Sequence, residues 1–393
     1  MKIADKLNNK RILIFGYGRE GKSTENFIKN HCTVKCLEIF EGKKEDINEE
    51  NYDYIIKSPG IVMFENNEKY TSQTELFLDE LGSQCVGITG TKGKSTTSAM
   101  LAHALNHSGK KAILLGNIGK PCFDHIDDID ENTVIVFELS CHQLLHINKA
   151  PHVAIFLNLF EEHLDYYGTF ERYFQAKANI ISHQMKGDLA YVGENVPKIE
   201  TESEVTTIKN ITEDFNLSIL GEHNRLNAQF VYEIATSVYG QDKEKVIEGI
   251  NEFKGLPHRL EFFAEVNGIK YYDDSISTIP EALINASMSV PNAKTFIFGG
   301  MDRGIDYSIL VDFIKEKTDL NFVAAYATGK RIYDMCEKRD GLLLVEDLDE
   351  ALVKAREITK EGEAIVLSPA APSYGYFKNF EERGEYFKTI VLK

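Results

Sequence analysis

The chain has no surplus of basic residues. Its 44 Lys and Arg stand against 61 Asp and Glu, a net charge of −17, which argues against a nucleic-acid partner. Any anionic substrate has to be met locally, by single Lys or Arg side chains, by Mg²⁺ or by helix N-termini. No apolar run approaches the ~20 residues that a membrane span takes. The opening MKIADKLNNKRILIF lacks a signal-peptide pattern. Both absences point to a cytoplasmic protein without a membrane partner. Paired cysteine spacing is missing too. Cys32, Cys36, Cys85, Cys122, Cys141 and Cys336 are scattered in mostly apolar surroundings and read as buried free thiols of a reducing compartment; Cys32 and Cys36 lack the second pair a zinc site needs. No short repeat or low-complexity segment is found.

What is present is a long chain with an ordinary interior. At 393 residues, 43% hydrophobic and 27% charged, it predicts two or three globular domains. The stretch Cys85–Leu105 passes from an apolar run through Gly87, Gly90 and Gly93 to Lys94, Ser95, Thr96 and Thr97, then continues with helical periodicity. A strand that ends in glycines and opens a helix cradles phosphate: backbone N–H groups converge, the helix N-terminus adds positive potential, and the lysine adds a charge. The P-loop pattern wants glycine where this chain has Ile88. The core of the variant loop is Gly90-Thr91-Lys92-Gly93-Lys94-Ser95-Thr96.

Ahead of that loop, residues 11–15 predict a buried strand leading into Gly16-Tyr17-Gly18-Arg19-Glu20-Gly21 and a helix, a dinucleotide-type fingerprint. A strand over 33–39 brings Glu38 to the offset at which an acid meets a ribose or base edge. A third strand, Tyr52 to Ile56, ends in Lys57-Ser58-Pro59-Gly60. This unit, residues 1–83, is short for NAD and fits one nucleotide; packing glycines are the bland alternative. Residues 84–256 predict a central P-loop ATP-binding domain. Its near-continuous apolar strands at 111–116, 133–140 and 152–158 suit a parallel sheet covered on both faces. At or beyond their C-terminal ends stand Asn117, Glu138, Asn158, His163 and Asp165. Glu138, after four apolar residues, suits Mg²⁺. Lys177, on an amphipathic helix over 169–185, reads by itself as a snorkelling lysine. Asn224 and Asn227 share a helix face, open either to capping or to a base.

Gly255-Leu256-Pro257 closes that domain. Residues 257–393 predict a further Rossmann-like domain: a hairpin about Asn267-Gly268, Asp274-Ser275, a helix from Pro280, strands at 294–300, 322–329 and 364–370, and a helix over 380–392. The fold class is α/β in three domains, with a mostly parallel central sheet.

Taken together, the motifs resemble the Mur ligases, the ATP-dependent amide-forming enzymes of peptidoglycan precursor synthesis, and within them the glutamate-adding branch. The carriers are the phosphate loop, Gly116-Asn117-Ile118-Gly119, Glu138-Leu139-Ser140-Cys141-His142-Gln143-Leu144 and Glu162-His163-Leu164-Asp165. They continue with Ala176-Lys177, Gly221 to Asn227, Leu256-Pro257-His258-Arg259, Asp274-Ser275, Ser368-Pro369-Ala370 and Phe377 to Glu381. The resemblance implies a UDP-binding first domain using Gly16, Arg19, Glu38, Ser58, Pro59 and Gly60, with Asn117 and His163 also at the sugar nucleotide. It implies ATP on Gly90 to Thr96, Asn224, Asn227, Arg259 and Asp274. Two Mg²⁺ would be held through Ser95, Glu138, His163 and a carbamylated Lys177, and the catalytic group is Lys94, Glu138, His163 and Lys177. Glutamate would meet Thr278, Arg303, Ser373, Tyr374 and Phe380. The implied protein is a cytoplasmic monomer serving cell wall biogenesis, cell shape and division.

The implied reaction is an ADP-forming acid–amino-acid ligation. ATP phosphorylates the alanine carboxylate of UDP-N-acetylmuramoyl-L-alanine, and the glutamate amine then displaces phosphate. Where the glutamate-adding branch usually reads Asp-Ser-Lys-Ala-Thr-Asn, this chain reads Asp274-Ser275-Ile276-Ser277-Thr278-Ile279. A charge is lost there, so L-glutamate stands as an alternative to D-glutamate. The rival readings are a nucleotide-binding switch without ligase chemistry, an NAD-dependent oxidoreductase and a folylpolyglutamate-type ligase. The first is disfavoured by the joint presence of Glu138, His163, Lys177 and Arg259, the second by the short first unit.

Overall fold

The computed structural model describes residues 1–65, 67–118 and 120–393; Gly119 of the Gly116-Asn117-Ile118-Gly119 motif lies outside the described residues, as does the side chain of Asp165. Contacts divide the chain into two compact units, Met1–Leu217 with Glu222–Phe253 and Ser218–Gly221 with Lys254–Lys393.

The first unit holds two sheets. One consists of β1 (Arg11–Phe15), β2 (Cys36–Phe40), β3 (Tyr54–Lys57) and β4 (Tyr70–Thr71), parallel in the order β2-β1-β3-β4. β2 starts later than the pattern over 33–39 predicts, because Thr33 and Lys35 bond to the Asn8–Lys10 turn instead. The other is a six-stranded parallel sheet of β5 (Cys85–Thr89), β6 (Ala112–Gly116), β7 (Val134–Glu138), β8 (Val153–Phe156), β9 (Leu189–Gly193) and β10 (Glu204–Ile208), ordered β10-β9-β8-β5-β7-β6. β5, β7 and β8 are buried at every position, as their unbroken apolar runs require. The strand order reverses at β5, so the loops after β5, β7 and β8 open on a switch-point crevice. One core runs continuously through both sheets of this unit, from Ile12 and Phe77 to Phe137 and Ile180.

The second unit is built on β11 (Glu261–Val266), β12 (Ile269–Asp273), β13 (Ala293–Phe298), β14 (Asn321–Ala324), β15 (Leu342–Leu344) and β16 (Ala364–Leu367). The order is β11-β12-β16-β13-β14-β15, parallel but for the antiparallel β11–β12 hairpin that Asn267-Gly268 foretells. Separate apolar clusters cover its two faces. The predicted strand over 322–329 is cut short: β14 ends at Ala324 and Tyr326–Met335 is a helix. A short run of small apolar residues does not distinguish the two by periodicity. Here Tyr326 turns at φ +62° and Gly329 packs against β14, where a Cβ would lie 3.0 Å from the Ala324 carbonyl carbon. All six cysteines are free, but only Cys85, Cys122 and Cys141 are buried; Cys32, Cys36 and Cys336 are partly exposed.

Candidate active site

The phosphate loop joins β5 to the helix Lys94–His107. Gly93 caps that helix in the left-handed region, φ +84°, where a side chain would be strained. A Cβ on Gly93 would also lie 3.0 Å from Asn227 Oδ1. Asn227 therefore sits against the loop, and its Nδ2 donates to Asn224 Oδ1 at 2.9 Å. The first backbone N–H groups of the helix, Lys94 to Thr96, have no partner within it. Lys94 Nζ donates to the carbonyls of Gly90 (2.9 Å) and Thr91 (3.0 Å), so the ammonium is held over the loop. Burial draws its pKa below the ordinary lysine range, opposed by Glu138 and Glu162. Exposed Lys92 pairs with Glu162 at 2.6 Å. Asn158, beyond β8, accepts from the Lys92 N–H and donates to its carbonyl, while Thr91 meets the Tyr173 hydroxyl at 3.1 Å.

Glu138 ends β7 and is fully buried. Its Oε1 accepts from Asn117 Nδ2 at 2.9 Å, whereas Oε2 has no partner among the described residues. A buried carboxylate oxygen left unbonded is costly. Near enough to the loop lysine Lys94 to act on its charge, it is a fitting hard-oxygen ligand for Mg²⁺. Lys177 is 1% exposed. Nζ donates to the Gly90 carbonyl at 2.8 Å and lies 5.0 Å over the Tyr173 ring. Burial, with neighbouring Lys94 adding to it, brings its pKa down to about 7. The snorkelling reading of Lys177 is thus overturned: the helix Phe170–Ser182 turns it inward among its apolar residues. His163 is exposed, at φ +56°, 4.0 Å from Glu162.

At the other sheet of this unit, Gly16 turns at φ +91° beneath Ser58, whose Oγ donates to the Gly16 carbonyl at 2.8 Å. A Cβ on Gly21 would lie 2.3 Å from that same carbonyl, so this glycine serves helix–strand contact. Arg19, Gly60 and Asn117 are exposed. Glu38 lies mid-strand and exposed, accepting from the Tyr52 hydroxyl at 2.6 Å. The burial of two residues inside these motifs escaped sequence reasoning. Lys57 is buried and donates to the carbonyls of Ser58 and Ile61; burial lowers its pKa to about 8, opposed by Glu20. Burial raises Glu20 to about 6, opposed by Gln143, whose Nε2 donates to Oε1 at 2.8 Å. Gln143 also closes a capping box with Ser140, and that Ser-x-x-Gln spacing was the available signal.

In the second unit the loops after β12, β13 and β16 carry the remaining residues. Arg303 is exposed and its Nη2 donates to the Thr278 carbonyl at 3.1 Å. Ser373 is buried; Tyr374 is exposed, and Phe380 meets His258 edge-on at 6.0 Å. Arg259 is exposed. Asp274, expected at the nucleotide, is buried with both oxygens taken up within the unit, by Leu260 N–H (3.3 Å) and Ser368 Oγ (2.8 Å). Arg383 was missed, because a lone arginine in a helix pattern reads as surface. It is 1% exposed, and donates to Ser275 Oγ, the Ser275 carbonyl and the Ala371 carbonyl.

Residues 88–201 match the family model of the Mur ligase middle domain. A UDP-N-acetylmuramoylalanine--D-glutamate ligase of Bacillus cereus (strain B4264) is 30% identical over 451 aligned positions that take in all of both chains. Among solved structures, MurF ligase from Thermotoga maritima in complex with ADP superposes with a TM-score of 0.60 at 16% identity, over 98% of this chain and 95% of that one. E. coli FolC in complex with ADP gives 0.58 at 15%, over 81% and 94%. At such identities the two structures speak for the fold alone.

Proposed function

The chain belongs to the Mur ligase family, and from that premise we propose that it joins D-glutamate to UDP-N-acetylmuramoyl-L-alanine at the expense of ATP, in the cytoplasm, as a monomer. The observation that carries the reading is the set gathered around one phosphate loop: Lys94 over it, Glu138 with an unbonded buried oxygen, and Lys177 touching its Gly90 carbonyl. The phosphate loop alone would serve a binding switch equally; Lys177 buried against it and the unbonded Glu138 oxygen support the ligase reading over the switch.

Each group has a task. A carboxylate is a poor electrophile until phosphorylated. The free N–H groups of Lys94 to Thr96 and the Lys94 ammonium hold the ATP phosphates and stabilise charge that develops during transfer. Ser95, Glu138, His163 and Lys177 would hold two Mg²⁺, which would neutralise phosphate oxygens and fix their orientation. A neutral amine attacks the CO₂ carbon and gives up a proton as the C–N bond forms, so Lys177, its pKa lowered by burial, is suited to carbamylation, which puts an oxygen-bearing anion where the lysine cation would stand. Asn224 and Asn227 are assigned to the adenine of ATP, a reading supported by Asn227 sitting against Gly93 of the loop. The glutamate amine then attacks the acyl phosphate, a C–N bond forms and phosphate leaves. Arg303, Thr278, Ser373, Tyr374 and Phe380 are assigned to glutamate; a guanidinium fork matches its side-chain carboxylate. Arg259 and Asp274 are assigned to ATP. Gly16, Arg19, Glu38, Ser58, Pro59, Gly60 and Asn117 are assigned to the sugar nucleotide.

The test supplies the purified protein with ATP, Mg²⁺ and UDP-N-acetylmuramoyl-L-alanine and follows phosphate release. Release that needs D-glutamate supports the proposal. Release only with L-glutamate assigns the other stereoisomer, and ATP binding without release under any amino acid removes the ligase reading.

A further inference from the structure

Next to the oxygen-rich set assigned to Mg²⁺ lies a donor set of different chemistry. Cys141 opens the short helix after β7, and His142 follows it. His163 caps the short helix after β8. The two segments flank the phosphate loop on the same edge of one sheet. One ligand atom from each residue lies within 4.8 Å of the other two. The thiol is buried, the first imidazole half-buried and the second exposed. The two imidazole rings are 5.3 Å apart between centroids. Tyr167 stacks on His142 at an interplanar angle of 9° and brings its hydroxyl to 3.2 Å from Nδ1, which steadies the ring.

We propose that Cys141, His142 and His163 form a binding site for a soft divalent cation of the zinc type. One sulfur and two imidazole nitrogens suit Zn²⁺ and not Mg²⁺, which takes oxygen ligands. Three protein ligands leave the fourth position open for water, on the exposed His163 side. Drawing three donors that already lie within 4.8 Å of one another to coordination distance takes a small movement of His163, whose side chain is the exposed one of the three. Binding displaces the thiol proton to solvent. In this reading zinc competes for His163, a residue assigned above to Mg²⁺, so zinc acts as an inhibitor. That last consequence rests on the ligase proposal; the metal site itself does not.

The test therefore begins without substrates. Purified protein is titrated with Co²⁺, as a spectroscopic stand-in, and then with Zn²⁺. A thiolate-to-cobalt charge-transfer band is expected in the wild type and in Cys36→Ser, to be bleached by Zn²⁺. The band should be absent from Cys141→Ser. His142→Phe should weaken Zn²⁺ binding by about 100-fold or more, since loss of a mere outer partner of a ligand already costs ~10–100-fold. His142→Phe also carries the test if Cys141→Ser fails to fold. No band in the wild type, a band that survives Cys141→Ser, or unchanged Zn²⁺ affinity in His142→Phe overturns the site. Phosphate release is then measured with and without Zn²⁺. Inhibition reversed by a chelator in the wild type and blunted in His142→Phe supports the competition for His163. Zinc binding without inhibition overturns that competition alone.

Discussion

Lys177 donates from Nζ to the Gly90 carbonyl at 2.8 Å, which ties the helix Phe170–Ser182 to the loop that would hold ATP. The contact places an amine with a pKa of about 7 beside the assigned metal ligands. Isotope-labelled bicarbonate should therefore give one carbamate carbon resonance in the wild type and none in Lys177→Arg. The Lys177→Ala variant should lose at least ~100-fold in turnover, the scale of one lost transition-state contact, and a short-chain carboxylic acid should restore part of it. Full activity of Lys177→Ala without added acid would contradict the carbamate.

Lys94 sits over the loop through two carbonyl contacts. Lys94→Ala should reduce phosphate release by roughly 100-fold or more, while thermal unfolding moves little. A turnover within a few-fold of wild type would remove Lys94 from phosphate stabilisation.

Arg303 is exposed, and its guanidinium is attached to Thr278 by one hydrogen bond. A charged hydrogen bond is worth about 1.5–3 kcal/mol, so Arg303→Ala should raise the glutamate KM by roughly 10- to 100-fold and leave the ATP KM near its wild-type value. An unchanged glutamate KM refutes the assignment.

Asp274 gives a pH dependence whose sign is set by burial. Its folded pKa is raised from 3.8 to about 7, chiefly by burial, against the Ser368 and Leu260 hydrogen bonds and Arg259, with Asp273 adding to the rise. The folded chain keeps a proton that the unfolded chain releases. The stabilising contribution is complete below about pH 4 and is lost as the pH rises through about 7. Asp274→Asn should flatten the fall in stability between about pH 5 and pH 8, by an amount on the order of 2–4 kcal/mol. Denaturant unfolding at the two pH values measures it; parallel slopes for variant and wild type would contradict it.

Arg383 closes two loops of the second unit by its bonds to Ser275 and Ala371, and its Nη1 has no partner among the described residues. Burial lowers even this guanidinium to about 10. Arg383→Met leaves two buried carbonyls unbonded, at about 1–3 kcal/mol each. Denaturant unfolding should show a loss of about 3 kcal/mol or more. Because Ser275 and Ala371 neighbour Thr278 and Ser373 in sequence, the glutamate KM should also rise. A stability equal to wild type would show the guanidinium to be dispensable.

Local signals were enough for the strand–glycine–helix passage at Gly90 to Ser95, the Asn267-Gly268 hairpin and the unbroken apolar strands β5, β7 and β8. Each depends on neighbours along the chain, so the sequence alone determined a three-sheet α/β protein with a phosphate loop, and the order of its motifs determined the family. The tertiary structure decided how the side chains behave. Lys177, read by itself, looked like a surface lysine until its helix turned it under the phosphate loop; the Asp274 carboxylate is enclosed by Ser368 and Leu260; the burial of Glu20, Lys57 and Arg383 had no mark in the residues beside them. Burial and charge pairing depend on which distant segments meet, and these set the pKa values and free hydrogen-bonding atoms on which the chemistry rests.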